Sequence, residues 1–204
     1  MLFDDTYLSI TEPCEGTFKD KGSKFMAFAY PIKSETEIRP LVARLKAEHT
    51  KANHHCFALR LTPDRSVFRV NDDGEPSGTA GRPILNTLLS KNLTNILVVV
   101  VRYFGGTLLG VPGLINAYRS ATEEALKSAK IIEKTINDVY GIYFDYSHMN
   151  DVMRIVKNEN LTTIHQQFDT ACELQIEVRK SQVEKIIALF DCLQGIKVSW
   201  LHTI

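Results

Sequence analysis

No apolar run in this chain is long enough to cross a bilayer: the longest, Ile96 to Val101, is a fraction of the roughly 20 residues a spanning helix needs. The leading residues Met1-Leu-Phe-Asp-Asp-Thr show no basic stretch followed by an apolar one, so no secretory signal and no membrane partner are expected. Cysteine is scarce. The four thiols, Cys14, Cys56, Cys172 and Cys192, are far apart and none forms a Cys-x-x-Cys pair, which predicts reduced, buried thiols in a cytoplasmic protein. Net charge is also missing, with 24 basic residues against 24 acidic ones. Low-complexity segments and internal repeats are absent. What remains is 44% apolar and 24% charged, the make-up of an ordinary globular chain. Its 204 residues suffice for one large domain or two small ones.

The zero balance hides an uneven distribution. Residues 1 to 132 hold 17 Lys and Arg against 14 Asp and Glu (+3), whereas residues 133 to 204 hold 7 against 10 (−3). Four of the first part's acids, Asp4, Asp5, Glu12 and Glu15, lie in its leading tail, so residues 16 to 132 carry 17 − 10, or +7. A basic module joined to a mildly acidic one permits a polyanionic partner without demanding it.

Periodicity assigns the elements. Residues 16 to 31 read as a hairpin turning near Asp20 to Gly22. Ser34-x-x-Glu37 is a capping box opening a helix that runs to about His49. Strands are expected over 54–61 and 66–71, a helix over 80–90, a core strand over 96–104 and a long helix over 112–130 with proline near its start. After Ile132 a strand alternates Tyr140, Ile142, Phe144 and Tyr146, and Met149, Val152, Met153 and Val156 form a helical stripe. Two strands follow, the second with Cys172, Leu174, Ile176 and Val178 inward. Ser181-x-x-Glu184 suggests another capping box, Gly195 a C-cap, and Ile196 to His202 a last strand. This β-α-β-β-α-β order predicts a ferredoxin-like second domain over 137–204, after a first domain over 1–132.

Glycine and acid concentrate between Asp72 and Gly113, in two loops that each feed a helix: Asp72-Asp73-Gly74-Glu75-Pro76-Ser77-Gly78-Thr79-Ala80-Gly81 and Gly105 to Gly113. Free amides at helix N-termini attract phosphate or carboxylate, and Arg82, Arg102 and Arg119 lie near enough in sequence to assist. The competing reading is tight turns capped by Asp72 and Asp73. Neither loop ends in Gly-Lys-Ser/Thr or fits a dinucleotide fingerprint. Asp72, Asp73 and Glu75 could together hold a hard cation, although acidic turns usually have local reasons. His49, His54, His55 and Cys56 lack a second Cys/His pair for zinc, Cys56 has no partner to orient it as a nucleophile, and Ser23 and Ser77 sit in no serine elbow. No catalytic group, metal or cofactor is therefore assigned. Lys19, Lys21 and Lys24, with Phe18 and Phe25 between them, suit either a phosphate backbone or a plain solvated hairpin.

Four segments together resemble the IMPACT family, in its bacterial YigZ branch: Lys21-Gly-Ser-Lys-Phe25, His54-His-Cys-Phe-Ala-Leu-Arg60, Asp72 through Leu85, and Val101-Arg-Tyr-Phe-Gly-Gly-Thr-Leu-Leu-Gly110. The resemblance implies a first domain like the second domain of ribosomal protein S-five and the fourth of elongation factor G. It implies a ferredoxin-like second domain similar to that factor's fifth, in an α+β chain. Eukaryotic relatives restrain a starvation-responsive kinase by competing for its activator. They carry an extra N-terminal interaction domain that this sequence lacks. The expectation is a non-enzymatic, translation-associated protein whose partner is RNA, the ribosome or a translation-control protein. The anion-facing candidates are Lys21, Lys24, Arg60, Arg82, Arg102, Gly105, Gly106 and Arg119. The family-motif loop residues are Asp72, Asp73, Gly74, Glu75, Gly78, Thr79, Gly81 and Gly110. The alternative is a metal-dependent enzyme or a binding protein for a small phosphorylated or nucleotide-like ligand at the two loops.

Overall fold

The structure is a computed structural model that describes residues 5–169 and 171–204. It is a mixed α/β chain divided into two compact units, Tyr7–Lys134 and Thr135–Ile204, the latter joined by Asp5 and Thr6. The first unit contains β1 (Thr6–Ile10), β2 (Cys14–Asp20), β3 (Ser23–Pro31), α1 (Ile38–Glu48), β4 (His54–Leu61), β5 (Val67–Asn71), α2 (Gly81–Ser90), β6 (Ile96–Tyr103), α3 (Gly110–Lys127) and β7 (Ile131–Thr135). Strands β2-β3-β6-β4-β5 form one sheet, antiparallel throughout.

β6 organises this unit because both of its faces are apolar. Ile96, Val98 and Val100 face a core shared with α2 and α3, while Leu97, Val99 and Val101 face a second core that includes Leu45 of α1. Helices thus cover the sheet on both sides. α3 lies so close to β2 that a Cβ on Gly16 would come within 2.2 Å of the Ala125 nitrogen. The β2–β3 hairpin turns at Lys21 and Gly22, both at positive φ (42° and 78°), the geometry that matches the twist of a two-residue hairpin loop. The Ser34 capping box forms as expected: Ser34 Oγ accepts from the Thr36 amide at 3.0 Å, and Glu37 Oε1 accepts from the Ser34 amide at 3.0 Å.

The second unit runs β8 (Asn137–Asp145), α4 (Met149–Asn158), β9 (Thr162–Phe168), β10 (Ala171–Arg179), α5 (Val183–Asp191) and β11 (Lys197–Thr203), so the order is the β-α-β-β-α-β read from the sequence. Its sheet order is β11-β8-β10-β9, and Cys172, Leu174, Ile176 and Val178 of β10 are buried as anticipated.

Of the four thiols expected to be buried, Cys56 and Cys172 are, whereas Cys14 is half-buried and Cys192 is exposed. Three further features depart from the sequence reading. β1 and β7 form a separate two-stranded sheet, which short-range periodicity did not reveal. Ser181 does not cap a helix: α5 starts at Val183 without a side-chain cap, and Ser181 instead hydrogen-bonds to Asp5. Asp5 therefore belongs with the second unit, where it also accepts two bonds from Arg179, at 2.6 and 3.0 Å. Gly195 has the left-handed φ of a cap glycine (79°), but the C-cap of α5 is Cys192. Among the described residues no helix is long and apolar enough to cross a membrane.

Candidate functional site

The loop between β5 and α2 is held by its own acids. Asp72 accepts from the amides of Gly78, Ala80 and Gly81 at 2.8, 3.1 and 2.8 Å, so the start of α2 already has an anion. Asp73, at φ 41°, accepts from the His55 amide at 2.7 Å and from Lys46 at 3.3 Å. Gly74 and Gly78 take positive φ values of 90° and 77°, and Thr79 closes the turn by donating to the Pro76 carbonyl at 2.7 Å.

Glu75 turns inward, with only 3% of its side chain exposed. Its Oε1 accepts from Arg102 Nη1 at 2.5 Å and from the Tyr118 hydroxyl at 2.8 Å. The Cys56 thiol faces that hydroxyl at 3.3 Å and the Asp72 carbonyl at 3.0 Å. Burial pushes Cys56 up to about 12, against the lowering effect of the Tyr118 bond, so the group stays a neutral thiol. Tyr118 is raised as well, by burial first and then by Cys56. The result is an ion pair and two neutral polar groups locked in the interior. The three loop carboxylates face three separate partners. Among the described residues no group of three His, Cys, Asp or Glu side chains could hold a metal, so the grouping of Asp72, Asp73 and Glu75 around one cation is not what the fold builds.

The second loop differs. The Gly105 amide donates to Ser23 Oγ at 3.1 Å, and a Cβ there would sit 1.9 Å from the Gly22 carbonyl carbon, so the loop and the β2–β3 tip are one surface. Gly106 and Gly110 take positive φ values of 86° and 71°. The first turn of α3 has no side-chain cap, and Pro112 supplies no amide, which leaves Gly110 and Val111 with the uncapped donors. Between the two loops lies an open cavity of about 480 Å³, with His54, Glu75 and Arg102 at its polar end and Phe104, Leu108 and Val111 among its apolar walls. His54 Nδ1 lies 2.8 Å from the Asp73 carbonyl oxygen, which can only accept, so Nδ1 carries a proton, and Nε2 lies 3.9 Å from Glu75 Oε1.

The candidate cations do not converge. Lys21 is exposed at the hairpin turn, and Lys24 is half-buried and directly opposite Lys19. None of the three lysines has an ion pair among the described residues. Arg102, expected to meet phosphate, is 5% exposed, bound to Glu75, and flanked by Phe25 and Phe104 at 5.4 and 5.5 Å. Arg60 donates to the Leu93 carbonyl at 3.3 Å. It pairs with Ile96 where Lys24 pairs with Tyr103, which sets the two about 23 Å apart along β6. Arg82 is exposed in the first turn of α2, and Arg119 is exposed on α3 with a bond to Asn116 at 2.8 Å. Sequence reasoning missed Tyr118 and the orientation of His54. A tyrosine on the apolar face of α3 between Ala117 and Ala121 was the available signal, since a buried hydroxyl needs a partner.

The antiparallel sheet sheathed by helices and the motif loops folded around the interior Glu–Arg pair lie within residues 21–126 for the most part, and those residues match the family model of the Impact N-terminal domain. The chain belongs to the IMPACT family. It is 31% identical over 178 residues to the IMPACT family member YigZ of Escherichia coli, covering 86% of this chain and 87% of that one. It is 29% identical over 178 residues to YvyE of Bacillus subtilis, covering 86% and 82%. A solved structure titled "Crystal structure of an hypothetical protein" superposes with a TM-score of 0.73 at 27% identity, covering 97% of this chain and 98% of the other.

Proposed function

We propose that this protein acts in translation as a non-enzymatic binder of RNA or of an RNA-rich ribosomal surface, through the β2–β3 tip and the adjoining Gly105–Gly106 loop. The observation that carries this reading is the lysine cluster. Lys19 and Lys24 face each other across the hairpin with Lys21 at its turn, and no acid neutralises them among the described residues. Like charges placed opposite one another destabilise a strand pair, and a polyanion laid across them would relieve that repulsion. The +7 balance of residues 16 to 132 has the matching sign. Membership of the family adds the translation context, together with the finer likenesses of the first unit to the second domain of ribosomal protein S-five and of the second unit to a ferredoxin-like module. A metal-dependent alternative has less support, because Asp72, Asp73 and Glu75 are each engaged within the protein.

The test is single-stranded RNA binding as a function of salt. Three neutralised phosphates predict a fall of roughly tenfold or more between 50 and 200 mM salt. Reversing the charges together (Lys19→Glu, Lys21→Glu and Lys24→Glu) should remove most of the binding. Affinity that is insensitive to salt, or unchanged in the triple variant, would count against the reading.

A further inference from the structure

The lysine tip leaves the cavity beside α3 unused, yet the two adjoin. Phe104 lines the cavity, and its neighbour Gly105 abuts Gly22 in the tip. A strand of RNA lying over Lys19, Lys21 and Lys24 would therefore pass the cavity rim. That rim is unusually apolar for a surface: Phe104, Leu108 and Val111 are 44%, 83% and 51% exposed. The volume, about 480 Å³, lies inside the range of roughly 300–1,000 Å³ found for small-molecule sites.

The polar end decides what chemistry fits. Glu75 offsets Arg102, so the ion pair presents no net charge to hold a phosphate or a metal there. What the polar end offers instead is hydrogen-bonding nitrogens. Arg102 Nε has no hydrogen-bond partner among the described residues, and His54 offers Nε2. A neutral, flat group with donors and acceptors on its edge and an aromatic face suits such a floor and the Phe104 wall. The uncapped amides of Gly110 and Val111 at the rim suit the phosphate attached to it.

We infer that this cavity receives one unstacked base of a single-stranded RNA whose phosphates cross the lysine tip. The inference rests on the RNA reading and adds to it a base-binding subsite with Phe104 as stacking partner and Arg102 and His54 at the base edge. Stacking on an aromatic side chain tolerates any base, so the subsite confers affinity more than sequence choice.

The experiment compares an RNA octamer with a tetrahydrofuran abasic octamer that has the same phosphates, at low salt, against the wild-type protein, Phe104→Ala and Leu108→Ala. Both replaced side chains are substantially exposed, and circular dichroism and thermal melting check each fold. Wild type should hold the normal octamer about 5- to 150-fold more tightly than the abasic one, the worth of stacking one base. Phe104→Ala should bring the normal octamer down to the abasic level and leave abasic binding unchanged, with Leu108→Ala moving in the same direction. Equal affinity for the two octamers in wild type overturns the base subsite and leaves phosphate binding standing. Failure of both octamers to bind overturns the RNA reading, and the subsite with it.

Discussion

Removing the Glu75 side chain would strand the Arg102 guanidinium beneath Phe104, because Arg102 is 5% exposed and has Glu75 as its ionic partner. Breaking a buried pair from one side costs about 3–5 kcal/mol. Glu75→Ala should therefore lower the denaturant midpoint by a corresponding amount. Tyr118→Phe, which removes the hydroxyl that donates to Glu75 and faces the Cys56 thiol, should cost about 1–2 kcal/mol. A Glu75→Ala variant as stable as wild type would show that the pair contributes nothing to the fold. Asp72, Asp73 and Glu75 are recognisable in the sequence as a group, but how they divide is not. Consecutive acids look equivalent in a string of letters. In the chain, positive φ at Asp73 and Gly74 turns Asp72 toward the amides of α2 and Glu75 into the interior. Backbone rotations of that kind have no signature in spacing.

Elements defined by local signals were legible, and elements defined by distant partners were not. The all-apolar β6, the glycine turn at Gly22 and the Ser34 capping box each act within a few residues, and each appears where the sequence put it. The β1–β7 sheet joins the two ends of the first unit, so neither strand is marked until the chain closes. Ser181 has the spacing of a cap, but the Asp5 carboxylate takes its hydroxyl. The contact between the hairpin tip and the following loop is also an element-scale property. Gly105→Ala would force a methyl group into the Gly22 backbone, so the tip and the loop must part. The expected outcome is a loss of about 1–3 kcal/mol, typical of overpacking, read by thermal melting. Weakened RNA binding should accompany it. A fully stable variant would mean that the two segments separate without cost.

Across the whole molecule, acid should act on the second unit through Asp5. Bonds from Arg179 and then Ser181 hold its carboxyl at about 2, below the ordinary 3.8. A carboxyl depressed in the folded state stabilises it fully above the unfolded value, and that contribution fades as pH falls from about 4 toward 2. Asp5→Asn should thus melt below wild type at pH 6 and converge with it near pH 2. A gap that persists into strong acid would assign the difference to something other than this charge.

The lysine hairpin also guards against self-association. β2 is a terminal strand of the five-stranded sheet, so one side of it offers main-chain groups that a neighbouring molecule could pair with. Lys19 stands exposed on that border, where burying an ammonium against another strand would be costly. Alanine at these positions would therefore discharge the tip and unguard the border together, inviting aggregation. Glutamate keeps the guard while inverting the sign.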